Sequence, residues 1–228
     1  MKYWTLTEIK TKIQQETDTE GELFVQDSEL TSYINDAIDL VEAEVHGMYQ
    51  DYFLTKDTMT LVNGQEEYDM PSDIYANKFR RIVYHNGERL FTIRRLRDWK
   101  KFEDYQSEQQ DPSSDLYWYM ILNETAGSPK LLLVPAARED GAYVIRWYLR
   151  NANRLSSDSD VCDIPEFIQV IIRYVNMRIE GKEGSPNYRM SSEELQELRS
   201  LMRDTLNNMV PDADNEVEMD LSFYEEFE

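Results

Sequence analysis

The side chains that most often carry acid–base or nucleophilic chemistry are few in this sequence. It contains two histidines, His46 and His85, and one cysteine, Cys162. His46 stands near the end of an amphipathic stretch and His85 beside the turn dipeptide Asn86-Gly87, so both are interpreted as capping or surface residues and not as general bases. Cys162 has no partner for a disulfide or a thiolate metal site, and is predicted to be a small packed residue near a helix start.

Motifs for phosphate or metal chemistry are also missing from the sequence. The eight glycines are scattered, with no glycine-rich loop followed by Lys-Ser or Lys-Thr and no dinucleotide-binding fingerprint. The 45 acidic residues leave a metal-dependent nuclease open as an alternative, but they form no recognisable cluster, and solvated acidic faces explain them. We therefore predict no catalytic residue, no metal ligand and no cofactor.

One segment, residues 78–101, concentrates positive charge in an otherwise acidic chain. Three hypotheses account for it: a charged sheet edge that resists aggregation, a DNA-facing patch, or an electrostatic seam between subunits. In the seam, the basic hairpin of one copy faces the acidic helices of the next and closes a head-to-tail ring. We favour the seam and predict six arginines as interface residues: Arg80, Arg81, Arg89, Arg94, Arg95 and Arg97.

Composition narrows the class of protein. The 228 residues are 41% hydrophobic with a formal net charge of -21, which permits a folded core and argues against a general nucleic-acid binder. No apolar run is long enough for a membrane span. Residues 1–20 lack the apolar region of a secretory signal, so the protein is expected to act where it is made or in a particle assembled there.

Helical periodicity dominates both ends of the chain. Thr5 and Glu8 match a capping box for a first helix. The strongest helix signal runs from Asp27 to Tyr49, where Asp27 or Ser28 should cap the helix, and its apolar face consists of Leu30, Tyr33, Ile34, Ala37, Ile38, Val41 and Val45. A helix after Pro165 is apolar around most of its circumference and should be buried against the helix of residues 27–49.

A final helix is indicated by the capping signal Ser191-Ser192-Glu193-Glu194. It is followed by an apolar stripe at helical spacing, made of Leu195, Leu198, Met202, Leu206 and Met209.

The middle of the chain has the period of two that is typical of strands. A hairpin is predicted around Asn63-Gly64 and another joins residues 79–84 to 89–93 through Asn86-Gly87. Further strands are expected at 116–123, 130–134 and 142–149, with a short helix at 96–105 and a polar loop at 106–114. These elements predict a small antiparallel sandwich or barrel.

The predicted fold is therefore α+β, a helical bundle with an inserted β-domain and an extended C-terminal arm. The expected divisions are 1–54 and 156–210 for the bundle, 55–155 for the β-domain and 211–228 for the arm. The arm contains eight carboxylates and no basic residue. It is either a disordered solubilising tail or a segment that orders on a partner, and we favour docking through its bulky residues Leu221, Phe223, Tyr224 and Phe227.

A series of features follows along the chain after the opening helix: Leu-Thr-Ser-Tyr-Ile-Asn-Asp-Ala at 30–37, Glu-Tyr-Asp-Met-Pro-Ser-Asp at 67–73, Leu-Leu-Leu-Val-Pro at 131–135 with the strand at 143–148, and the helix from Pro165. Together, in this order, they resemble the head-to-tail adaptor (connector) proteins of tailed bacteriophages. The likeness covers roughly residues 5 to 180.

The resemblance implies a structural virion protein without enzymatic activity, located below the portal vertex and present in the host cytoplasm during assembly. It implies a ring of about twelve copies whose partners are the portal protein and a tail or nozzle protein, with genomic DNA passing through the lumen and no membrane contact. The alternatives are another ring or stopper of the same tail, the metal-dependent nuclease, and an acidic DNA mimic directed at the host.

Overall fold

The structure, a computed structural model, describes residues 3–19, 24–85, 90–96, 118–123, 128–134, 136–137 and 141–209. They form two units: one from the two ends of the chain, up to Tyr52 and from Ala152 onward, and one from Phe53–Asn151. The first unit is helical and the second is a sheet. This confirms the α+β class, while the predicted bundle and arm as such stay predictions.

In the described part of the helical unit there are four α-helices: α1 Leu6–Thr17, α2 Asp27–Met48, α3 Ile168–Glu183 and α4 Tyr188–Met209. Short 3-10 helices lie at Gln50–Phe53 and Pro165–Phe167. The capping box predicted for α1 is present, because the Glu8 amide donates to Thr5 Oγ1 at 3.3 Å and the Thr5 amide donates to the Glu8 carboxylate at 2.9 Å. Two of the four orphan amides are thereby satisfied.

Two other predicted caps are wrong. The cap residue of α2 is Gln26, which makes no side-chain bond to the helix, and Asp27 instead accepts from Lys10 Nζ at 2.7 Å. Helix α4 begins three residues before the predicted signal, so Ser191 lies inside the helix and is buried. For Asp27 the ion pair with Lys10 competes with the local cap for the same side chain, whereas the Ser191 amide already belongs to the helix, because it donates to the Asn187 carbonyl at 3.0 Å.

Helix α3 packs against each of the other three helices. Its buried face, together with the predicted apolar face of α2, forms most of the core of this unit. The central helix is therefore α3 as much as α2, and the prediction that the segment after Pro165 is buried against α2 is confirmed.

Seven strands of the described residues form one curled sheet in the order β1-β7-β3-β4-β5-β6-β2. Their bounds are β1 Leu54–Thr60, β2 Glu67–Asp69, β3 Ile74–His85, β4 Leu90–Arg95, β5 Trp118–Leu122, β6 Lys130–Val134 and β7 Tyr143–Arg150. One face holds a core cluster that includes Ile82, Tyr84, Leu131, Leu133 and Val144.

The pairing of the strands differs from the prediction in two ways. Strands β1 and β2 do not form the hairpin expected around Asn63-Gly64, because β1 pairs with β7 and β2 pairs with β6. The sheet is also mixed, since β4 and β5 are parallel. The second predicted hairpin is confirmed by the β3–β4 register, Ile82↔Ile93 to His85↔Leu90. The sandwich or closed barrel is not confirmed.

Three sequence predictions lie on residues that the structure does not describe. They are most of the short helix at 96–105, the polar loop at 106–114 and the arm at 211–228.

Candidate interaction surfaces

The two histidines are packing residues. His46 is 2% exposed, and its Nε2 lies 3.7 Å from the carboxylate of Glu42, which also accepts from the Ala152 amide at 2.7 Å. The ring of His85 is half-buried and stacks on Tyr143 with 4.6 Å between centroids. The interpretation of His46 as a cap or surface residue is therefore wrong, because the helical unit buries it. His85 stays partly exposed at the end of β3, and its interpretation as a surface residue is not contradicted.

Cys162 is fully buried, as predicted. Its amide donates to the Trp4 carbonyl at 2.9 Å, and burial raises the pKa of its thiol to about 11. Since the thiolate is the reactive form, this cysteine has little nucleophilic character at neutral pH.

Four of the six predicted interface arginines lie on described strands, and all four are exposed: Arg80 and Arg81 on β3, and Arg94 and Arg95 on β4. The β3–β7 register shifts between Phe79 and Arg81, which makes Arg80 the extra residue of a β-bulge. The bulge explains why two consecutive arginines are both exposed. Arg89 and Arg97 lie outside the described residues.

The sheet face opposite the core cluster combines cations with aromatic rings. Alternation along the paired strands places Arg81 and Arg94 on this face, next to the half-buried Trp147 of β7. Lys56 of β1 is opposite Trp147 and its Nζ lies 5.2 Å from the centre of the ring. We call this the cationic face; it can hold an acidic partner by charge and by ring contact.

Helix α4 presents the opposite charge. Its exposed side chains include Glu193, Glu197 and Asp204, spaced so that all three fall within one sector of the helix. Two of its arginines, Arg199 and Arg203, instead reach Glu44 of α2, with Nε–oxygen distances of 2.6 and 3.2 Å. The exposed Arg189 pairs with Glu193 at 3.0 Å on the same side of the helix, so this side keeps a net negative charge. We call Glu193, Glu197 and Asp204 the acidic face of α4.

An apolar groove of about 240 Å³ runs between α3 and α4. It is lined mainly by hydrophobic side chains: Phe167, Val170, Leu198, Leu201, Met202 and Met209. Leu201 is 62% exposed. The sequence reasoning missed the groove because Leu201 lies beside the predicted apolar stripe of α4 and not on it.

The predicted docking residues of the arm, Leu221, Phe223, Tyr224 and Phe227, lie outside the described residues. Within the described part of the chain, no three His, Cys, Asp or Glu side chains gather as metal ligands would. In the same residues, none of the helices is both long and apolar enough to cross a membrane.

Comparison with protein-family models identified the family of the chain. The family model described as SU10 adaptor protein matches residues 4–218, which is nearly the whole chain and includes both units. No curated protein sequence matched the chain.

Proposed function

We infer the role of this protein from one premise: the chain belongs to the SU10 adaptor protein family, a family of phage head-to-tail adaptors. It is accordingly a structural component of the virion neck, with portal and tail proteins as its general partners. We propose that it forms a ring of about twelve copies that joins the portal to the tail, continues the DNA exit channel and has no catalytic role.

The segregation of charge carries the ring proposal. The cationic face, with Arg81 and Arg94, lies on the sheet, whereas α4 exposes Glu197 and Asp204. Two different patches of opposite sign on one chain suit a heterologous contact, in which copy after copy adds until the ring closes. Arg80 and Arg95, together with Arg89 and Arg97, extend the cationic side of this proposed seam.

The net charge of -21 supports the proposed channel. An acidic lumen repels the phosphates of DNA, so the genome can slide through without sequence-specific binding. In this proposal the acidic residues act together as a surface charge, and no single carboxylate has a chemical role.

The arm supplies the proposed contact to the portal. Phe223, Tyr224 and Phe227 are bulky residues in a segment with eight carboxylates, and such side chains fit hydrophobic grooves on a partner that orders the segment.

Reconstitution with the portal ring of the same phage tests this function. The full chain is mixed with purified portal and imaged by electron microscopy; we expect a second ring stacked on the portal. Replacing Phe223, Tyr224 and Phe227 with serine should abolish stacking, whereas the exposed Tyr3→Ser should not. A wild-type chain that stays monomeric with the portal refutes the proposal, and binding to a tail component alone favours the other ring or stopper.

A further inference from the structure

Strand β1 presents an open edge. It pairs with β7 along one side, and among the described residues no strand pairs with its other side. The Leu61 amide donates to the Ala142 carbonyl of the β7 side at 2.7 Å. Because backbone groups alternate in an antiparallel pair, Lys56, Thr58 and Thr60 direct their N–H and C=O groups to the open edge.

This edge is suited to accept another strand. It is seven residues long, carries neither proline nor glycine, and its register with β7 is unbroken. The strand at the other end of the sheet, β2, has three residues, which is too short for stable addition. Long regular edges are ready templates for a pairing chain, so β1 is the edge that needs a partner.

The residues that follow α4 have the pattern of a strand. From Asp212 to Asp220 every even-numbered residue is acidic, and from Ala213 to Phe223 every odd-numbered residue is uncharged. A helix would direct Val217 and Leu221 to one side and Met219 and Phe223 to the opposite side. A strand instead has one acidic face and one apolar face, as a period of two requires.

We propose that residues Asp214–Leu221 of one copy add as a strand to the open edge of β1 in a neighbouring copy. The apolar row, Val217, Met219 and Leu221, then continues the face where Met59 of β1 packs against the core cluster. The acidic row lies on the face of Lys56 and Trp147. The added strand gives backbone hydrogen bonds, and its two faces set the register.

We assign the added strand to a neighbouring copy because it directly follows α4 in the chain, and in the proposed ring α4 meets the next copy. This step depends on the proposed ring, in which the acidic face of α4 meets the cationic face of the next copy. That face and β1 belong to the same sheet. Only five Cα–Cα steps separate Met209 from Asp214, a reach of at most about 18 Å, so the acceptor β1 is the one in the sheet that α4 already contacts. Phe223, Tyr224 and Phe227 remain beyond the added strand for the portal.

Two full-chain variants remove the two halves of this contact. Thr58→Pro deletes one outward N–H and leaves the bonds to β7, since proline is tolerated on an open edge; its control, Thr58→Ala, keeps the N–H. Met219→Asp places a charge in the apolar row, and Ser222→Asp adds the same charge on the acidic side. Sedimentation velocity measures the dissociation constant for self-association. It should rise at least about tenfold in Thr58→Pro and in Met219→Asp, and less than about threefold in the controls Thr58→Ala and Ser222→Asp.

Mixing the two defective variants tests whether the contact joins different copies. Thr58→Pro has an intact arm and Met219→Asp has an intact β1 edge. The arm of the first variant can therefore add to the edge of the second, so the mixture should form dimers at concentrations at which each variant alone stays monomeric. No rescue on mixing, unchanged association of both variants, or a wild-type chain that never self-associates would overturn the inference, provided that thermal melts match the wild type. If Thr58→Pro and Met219→Asp stack on the portal as the wild type does, only the strand contact fails; if the wild type does not stack, the adaptor proposal fails.

Discussion

At the scale of single residues, burial decides what a polar side chain does. Arg146 is 6% exposed, and its Nε donates to the carboxylate of Asp57 at 2.9 Å while Nη1 donates to the Asp69 carbonyl at 2.7 Å. Tyr148 donates to Asp73 at 2.9 Å, and burial with this bond raises the pKa of its phenol to about 12. These buried groups keep fixed partners, so they hold strands together and are not available for chemistry.

Arg146→Met should lower the free energy of unfolding by about 3 kcal/mol, because the substitution leaves the half-buried Asp57 carboxylate without its cation. Urea unfolding followed by circular dichroism measures the loss. Lys130→Met is the matched control, since it also removes a cation from an aspartate, Asp69, but both members of that pair are solvent-exposed. A midpoint for Arg146→Met that equals that of the control would contradict the role assigned to the buried pair.

At the scale of elements, local sequence signals predicted where the helices lie more accurately than where each helix begins. The capping box at Thr5 is correct, whereas Asp27 pairs with Lys10 and Ser191 lies inside its helix. The end of α3 is a clear local signal: Gly184 has a φ of 70° and its amide donates to the last turn of the helix. Such a left-handed position strongly favours glycine.

The same substitution at two glycines should have opposite effects. Gly184→Ala is expected to lower the free energy of unfolding by about 1 kcal/mol, because a Cβ is strained at positive φ. Gly47→Ala should raise it by about 0.5 kcal/mol, because Gly47 lies within α2 and an added Cβ there meets no atom within 4 Å. Urea unfolding of both variants checks the signs, and destabilisation by both would contradict this account.

At the scale of the whole molecule, net charge and local charge act against each other. Each copy carries -21, so copies repel one another at long range, whereas the proposed seam attracts at short range. Salt shortens the Debye length from about 30 Å at 0.01 M to about 8 Å at 0.15 M. The long-range repulsion is therefore screened first.

Self-association of the wild type should strengthen as salt rises from about 0.01 to 0.15 M. Arg81→Glu with Arg94→Glu should weaken it at least about tenfold at either salt concentration. Lys12→Glu with Arg154→Glu changes the net charge equally, at solvent-accessible positions outside both the cationic face and α4, and should have a much smaller effect. Sedimentation velocity measures all three proteins, and equal losses in the two double variants would mean that net charge, and not the seam, governs association.

The sequence by itself determined the α+β class, the apolar faces of α2 and α3, the β3–β4 hairpin and the packed state of Cys162, because each depends on periodicity or on neighbours within a few residues. Only the tertiary structure decided that β1 pairs with β7, that β4 and β5 are parallel and that His46 is buried. These features join residues far apart in the chain, and which distant segments pair depends on the packing of the whole sheet or helical unit. The open edge of β1 was also decided only by the tertiary structure, because whether a strand lies at the edge of a sheet depends on how all the other strands pair.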